Sequence, residues 1–201
     1  MTQDTIKTPG RPQDDELTEK ILRETVRVLQ ESGYSGLRIE QVASALGCGK
    51  TTIYRRWPTR AGLTAAAITF AVKLGDAPDT GSVVADLVEL AWQNAQNQVP
   101  DPWTRTAPHA LWAAMLVPEV REIFGQGFLA DRRKMWLLVL RRAIEQGQLA
   151  PAADLEAMID LIAGFTTQRN LILNRAVHKS DFLPIVEALV ATPPLRANDE
   201  P

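Results

Sequence analysis

The sequence predicts an all-α chain of about nine helices, on three observations. Between residues 14 and 192 apolar side chains recur at intervals of three and four, the spacing that gathers them on one face of a helix. No segment alternates apolar and polar residues with the period of two that marks a half-buried strand. Glycines, prolines and capping residues stand mostly at the ends of the periodic stretches.

In chain order, residues 1–13 hold Pro9, Gly10 and Pro12 with Ile6 as the one large aliphatic side chain, which predicts a disordered arm. Leu17, Ile21, Leu22, Thr25, Val28 and Leu29 form the first stripe, ended by Gly33, and Ile39, Val42, Ala43 and Leu46 form a shorter second. Gly47-Cys48-Gly49 interrupts the pattern, and Lys50 to Trp57 restarts it until Pro58 stops it. Leu63, Ala67, Phe70, Ala71 and Leu74 predict a fourth helix closed by Gly75. Ser82 suits the cap of a helix running to about Gln98. Pro100, Pro102 and Pro108 then mark a broken connection into Ala110 to Val117, and Pro118 opens a long helix reaching about Gln146. Asp154 and Asp181 are expected to cap the last two helices, ending near Val177 and Ala191. The expected domains are 14–75, with the second half of the fourth helix as linker, and 81–192, followed by a disordered tail at 193–201.

A chain of 201 residues buries a core without staples, and its single cysteine, Cys48, cannot close an intramolecular bridge. No charged-then-apolar leader opens the chain, and an apolar run such as Met135 to Leu140 is far too short to cross a bilayer, so a cytoplasmic protein is expected. The net charge of −2 is uninformative, but its distribution is not. Arg38, Lys50, Arg55, Arg56 and Arg60 face Glu40 alone between Tyr34 and Arg60. Screening confines such a patch to a Debye length of about 8–10 Å, within which it still attracts phosphates.

The same segment has the makings of a helix-turn-helix, whose two helices must cross closely and turn sharply. Ala43 permits the close approach, Gly47 permits a positive φ at the bend, and Ile53 anchors the second helix. Lys50, Thr51, Thr52, Tyr54, Arg55 and Arg56 then face outward as donors to phosphate oxygens and base edges. Gly33-Tyr34, Ile39-Glu40-Gln41-Val42-Ala43 and the run from Gly47 through Thr-Ile-Tyr-Arg-Arg-Trp-Pro to Arg60 resemble the TetR (tetracycline repressor) family over roughly Leu17 to Phe70. The resemblance implies that Lys50, Thr51 and Arg55 read the major groove and that Thr52, Tyr54 and Arg60 bind phosphates. Two positions depart from the family pattern. Arg38 replaces the usual capping Ser or Thr, exchanging a cap for a direct phosphate contact. Cys48-Gly49 replaces a typical Val-Ser, and the thiol is expected to be a small core-facing group.

Other motifs fail on context. Ser44 to Thr51 is one glycine short of a P-loop and follows a helical, not an extended, pattern. Gly125-x-Gly127-x-x-Ala130 lies in a helical stretch with no strand before it. The two histidines lie 69 residues apart, and the cysteine has no histidine near it in sequence, so neither a metal site, a cofactor nor an enzyme is expected. A helical ligand-binding protein without DNA activity is the alternative reading. Arg11, in Gly10-Arg11-Pro12, is a candidate for a neighbouring minor groove.

In the second half, Met135 to Leu140 is apolar around the whole helix circumference, which requires two buried faces. Leu137, Leu140, Ile144, Leu155, Met158, Ile162 and Phe165 are therefore expected in a four-helix homodimer interface, the arrangement the resemblance implies. Trp92, Trp103, Trp112, Met115, Phe128, Met135, Trp136 and Phe165 are candidates for an apolar effector pocket, with Asn94, Gln96, His109 and Gln168 as polar handles. The whole reads as a repressor that a small apolar or aromatic effector releases from a pseudo-palindromic operator, with the fourth helix as lever.

Overall fold

The computed structural model describes residues 12–97 and 109–196, and among these every regular element is helical. Four helices come first: α1 (Pro12–Gly36), α2 (Ile39–Ala45), α3 (Lys50–Arg56) and α4 (Arg60–Ala71). After a linker come α5 (Val83–Gln96), α6 (His109–Ala114), α7 (Pro118–Phe124), α8 (Ala130–Glu145), α9 (Leu155–Thr167) and α10 (Leu183–Ala191). A π-helical turn, Gly125–Leu129, joins α7 to α8 without leaving helical dihedrals, so the two form the single long rod expected from Pro118. With that rod taken as one helix, the described residues hold the nine expected.

Each end has a physical cause. Gly33, at φ 64° and ψ −177°, breaks α1 where the apolar stripe stops, a conformation that costs an L side chain energy. Ser82 and Asp154 cap α5 and α9 by accepting from the amides of Ala85 and Ala157. Thr59 caps α4 the same way, accepting from Gly62 at 2.9 Å.

Several expected boundaries need correction. Helix α1 begins at Pro12, inside the segment expected to be a disordered arm. The fourth helix stops at Ala71 rather than near Leu74, and Val72 turns extended, leaving Phe70 and Leu74 exposed. The helix after Asp154 ends in a π turn at Ile172, well before Val177. Asp181 does not cap α10; its carboxylate accepts from the amide of His178 and closes a 3-10 turn instead. Residues 193–196 are held, not free: the Asp154 amide donates to the Pro194 carbonyl at 2.7 Å and the Arg196 amide to that of Ala152 at 3.2 Å.

Two cores result. The first joins α1–α4 around Ile21, Leu29, Leu37, Val42, Ile53 and Leu63, and takes in Ala114, Val120 and Phe124 from α6 and α7. The second joins α5, α8, α9 and α10 around Leu87, Leu90, Trp136, Leu140, Met158 and Phe182. Helix α1 packs along α6 and α4 along α7, so the first unit is seated on the second by two parallel contacts, not by the fourth helix alone.

Candidate nucleic-acid interface

Helix α3 is seven residues long, and one side chain fixes it. Ile53 is fully buried in the first core, which turns Lys50, Thr51, Tyr54 and Arg55 to solvent. Gly47 supplies the bend before it at φ 63°, with its amide bonded back to Ser44. Thr52 is half-buried, and Cys48 packs against the core as a half-buried thiol.

Arg56 does not join this outward set. Its Nε donates to the Thr18 hydroxyl at 3.2 Å and its Nη1 to the Thr52 carbonyl at 2.9 Å. The physical reason is helical phase: Arg56 follows Ile53 by three residues, so it lies on the flank that meets α1. It positions α3 rather than reaching away from it.

Beside α3 the surface folds into a notch of about 390 Å³ lined by Ser35, Leu37, Arg38, Ile39, Glu40, Tyr54 and Arg60. Three expected phosphate ligands, Arg38, Tyr54 and Arg60, thus meet in one concavity although 22 positions separate the first from the last. Each is held. The Arg60 guanidinium sits over the Tyr34 ring, 4.2 Å from its centroid, and Arg38 Nη1 donates to the Ser35 carbonyl at 2.6 Å. As expected, Arg38 gives α2 no side-chain cap. Donors pre-positioned at a surface with one acidic neighbour, Glu40, suit an anion of the size of a backbone phosphate.

The sequence matches the model for bacterial regulatory proteins of the tetR family over residues 21–67, and that for the tetracyclin repressor-like C-terminal domain over residues 77–189, more than half the chain. The chain belongs to the TetR family. It is a helix-turn-helix transcriptional regulator. This TetR-family chain is 28% identical over 187 residues to the HTH-type transcriptional regulator Rv1556 of Mycobacterium tuberculosis, covering 92% of this chain and 90% of the relative. It is 29% identical over 172 residues to YdeS of Bacillus subtilis, covering 85% and 86%. Among solved structures, the TetR family regulator SCO0332 superposes with a TM-score of 0.63 at 27% identity, covering 88% of this chain and 97% of that one. FadR of Bacillus subtilis, solved with stearoyl-CoA, gives 0.65 at 15% identity and covers 86% and 97%, which is a likeness of fold.

The expected effector pocket is not assembled as one site. Met115 and Phe128 pack against the first core, while Trp92, Met135, Trp136 and Phe165 belong to the second, with Trp136 only 2% exposed. Trp112 is half-buried on α6, and Trp103 and the His109 side chain lie outside the described residues. Of the polar handles, Asn94 is bonded to Arg132, and Gln96 and Gln168 are exposed. The larger concavity, about 820 Å³, opens between α4 and the α7–α8 rod and is lined by Trp57, Phe70, Val72, Leu74, Ile123 and Phe128 among others. Among the described candidates, Phe128 alone lines it.

The interface residues also need revision. Leu140, Leu155, Met158 and Ile162 are buried within the protomer's own second core and have no surface to offer a partner. Leu137, Ile144 and Phe165 remain half-buried. The apolar side chains that α8 and α9 do expose are Leu138, at 57%, and Leu161, at 53%. Arg133 joins these two helices through Glu156 and Asp160. Among the described residues no helix is long and apolar enough to cross a membrane.

Proposed function

We propose that this TetR-family regulator is a repressor that binds a pseudo-palindromic operator as a homodimer and leaves it when a small, largely apolar effector binds. Lys50, Thr51 and Arg55 read base edges in the major groove, while Thr52, Arg38, Tyr54 and Arg60 hold phosphates on either side. The observation that carries this reading is the division of labour on α3: Ile53 fully buried, Arg56 tied to α1, and an outward face left with donors beside the Arg38–Tyr54–Arg60 notch.

A twofold partner is required because one seven-residue helix spans too few base pairs for useful specificity, and two copies about 34–36 Å apart read both halves of a site. Leu138 and Leu161 are the apolar side chains we assign to that contact, with Leu137, Ile144 and Phe165 at its edge. Effector binding acts through the seat of the first unit, where α4 lies along α7 and α1 along α6. The test is a titration of labelled DNA from the region upstream of the protein's own gene, at fixed salt. Binding that collapses in Arg55→Ala supports the assignment. Equal binding by both proteins defeats it, as does failure of the wild type to bind any genomic fragment.

A further inference from the structure

Phe124, Phe128, Arg132, Trp136 and Leu140 follow one another at intervals of four along the rod, so a charged residue stands in the middle of an apolar stripe. Arg132 is only 6% exposed. Its Nη1 donates to Asn94 Oδ1 at 2.6 Å, and its Nη2 to the carbonyls of Lys73 at 2.6 Å and Leu74 at 3.3 Å. All three partners are neutral, and the buried Nε has no acceptor. Desolvation with no carboxylate to oppose it pushes the guanidinium down to about 10.

Arg142, on the same helix, shows what a compensated site looks like in this protein. It pairs with Asp86 at 2.9 Å and Asp79 at 3.1 Å, and Asp86 accepts in addition from the Thr80 amide and hydroxyl. Arg132 has the burial without the anion. A buried charge with an orphaned donor is a cost that a folded protein keeps where something else supplies the partner.

The surroundings indicate what supplies it. The Phe128 ring covers the guanidinium, its centroid 4.9 Å away, and both Phe128 and Leu74 line the open cleft between α4 and the rod. Arg132 therefore sits directly behind the apolar Phe128 and Leu74 side of that cleft, whose lining also includes Asp131, paired with Lys134 at 2.9 Å. Phe128 rides on the π turn and stacks on the Phe124 ring, 5.2 Å between centroids, so its ring closes the guanidinium off from the cleft.

We propose that Arg132 is the anchor of the effector site and that the effector is a small carboxylate with an apolar body, the body lying in the cleft and the carboxylate on the guanidinium. This rests on the reading of the protein as an effector-released regulator and names the effector's chemistry. The same contact explains release. The Lys73 carbonyl is gripped by both Arg132 and Asn97 Nδ2, and it belongs to the linker that follows α4. A carboxylate that takes the Nε and Nη donors removes one of the two grips at the end of the helix that seats the DNA-binding unit.

The test uses the full-length protein and a series of saturated carboxylates from butanoate to octadecanoate, with benzoate and phenylacetate, each against the corresponding alcohol. Binding is read by tryptophan fluorescence and release by displacement of bound promoter DNA. At least one carboxylate is expected to bind the wild type roughly tenfold or more tighter than its alcohol, the discrimination given by one charge-assisted hydrogen bond. That preference should vanish in Arg132→Met and survive in part in Arg132→Lys. If every carboxylate and its alcohol bind the wild type equally, or none binds, the proposal is overturned whether or not the Met variant folds. An alcohol that releases DNA where no acid does would overturn the carboxylate but leave the effector reading standing. Failure of the wild type to bind DNA would instead remove the regulator reading, which the binding arm does not use.

Discussion

Arg56 on α3 donates through its Nε to the hydroxyl of Thr18 on α1, at 3.2 Å and across 38 positions of sequence. Together with Ile53 beneath it, this bond sets the rotation of α3 about its own axis and hence which side chains face outward. Arg56→Ala removes a part-buried polar tie, so it should destabilise the chain by about 1 kcal/mol and lower Tm by a few degrees. Operator affinity should fall with the salt dependence unchanged, because no phosphate contact is lost. A salt slope reduced by about one ion would mean that Arg56 contacts DNA after all.

The outward residues predict the opposite pattern. Arg55→Ala should leave Tm within error of the wild type and cost operator affinity about 1–3 kcal/mol, with the loss concentrated at one base position. Arg60→Ala should weaken specific and non-specific DNA alike and flatten the salt slope by about one ion. Titrations at several salt concentrations separate the two, and a swapped result would exchange their assignments.

These contrasts mark the limit of what the sequence made legible. Helix starts and the bend at Gly47 were readable because Ser82, Asp154 and positive-φ glycines act locally. Arg38, Tyr54 and Arg60 were each readable as phosphate donors, but their meeting in one notch was not, because it depends on how α2, α3 and α4 pack. The inward turn of Arg56 was not, since it depends on α1, which lies far away in sequence. Which apolar residues of α8 are spent inside the protomer was illegible for a related reason: Leu140 and Leu138 are equally apolar as residue types, and only packing of α5, α9 and α10 decides which is used up inside. Arg132 was overlooked although its position at the centre of an i, i+4 apolar series is visible in the sequence.

The proposed interface can be tested directly. Leu138→Glu places a charge where an exposed apolar side chain is assigned to the partner, and it disturbs no core because Leu138 is 57% exposed. The expected outcome by light scattering is a particle of half the wild-type mass with unchanged helical content, and with operator affinity greatly reduced. Leu140→Ala should behave differently, losing about 2–5 kcal/mol of stability while the folded fraction stays dimeric. A dimer that survives Leu138→Glu, at concentrations near those of the cell, would place the twofold contact elsewhere.

The closure of the second unit should depend on acid in a defined direction. Lys179, in the 3-10 turn before α10, donates to Glu89 on α5 at 2.5 Å and holds that carboxyl below its usual 4.5. A carboxyl whose value is lowered by folding contributes stability that is complete above 4.5 and is lost as pH falls through the lowered value, because protonation then removes the ion pair. Both partners are partly solvated, so the contribution is less than about 1 kcal/mol. Wild type should therefore melt slightly above Glu89→Gln at pH 6 to 7, and the two curves should converge as pH falls through the lowered value of the carboxyl. High salt should shrink the neutral-pH difference as well. A gap that widens in acid would reverse the sign and show that the Lys179–Glu89 ion pair is not what stabilises the wild type.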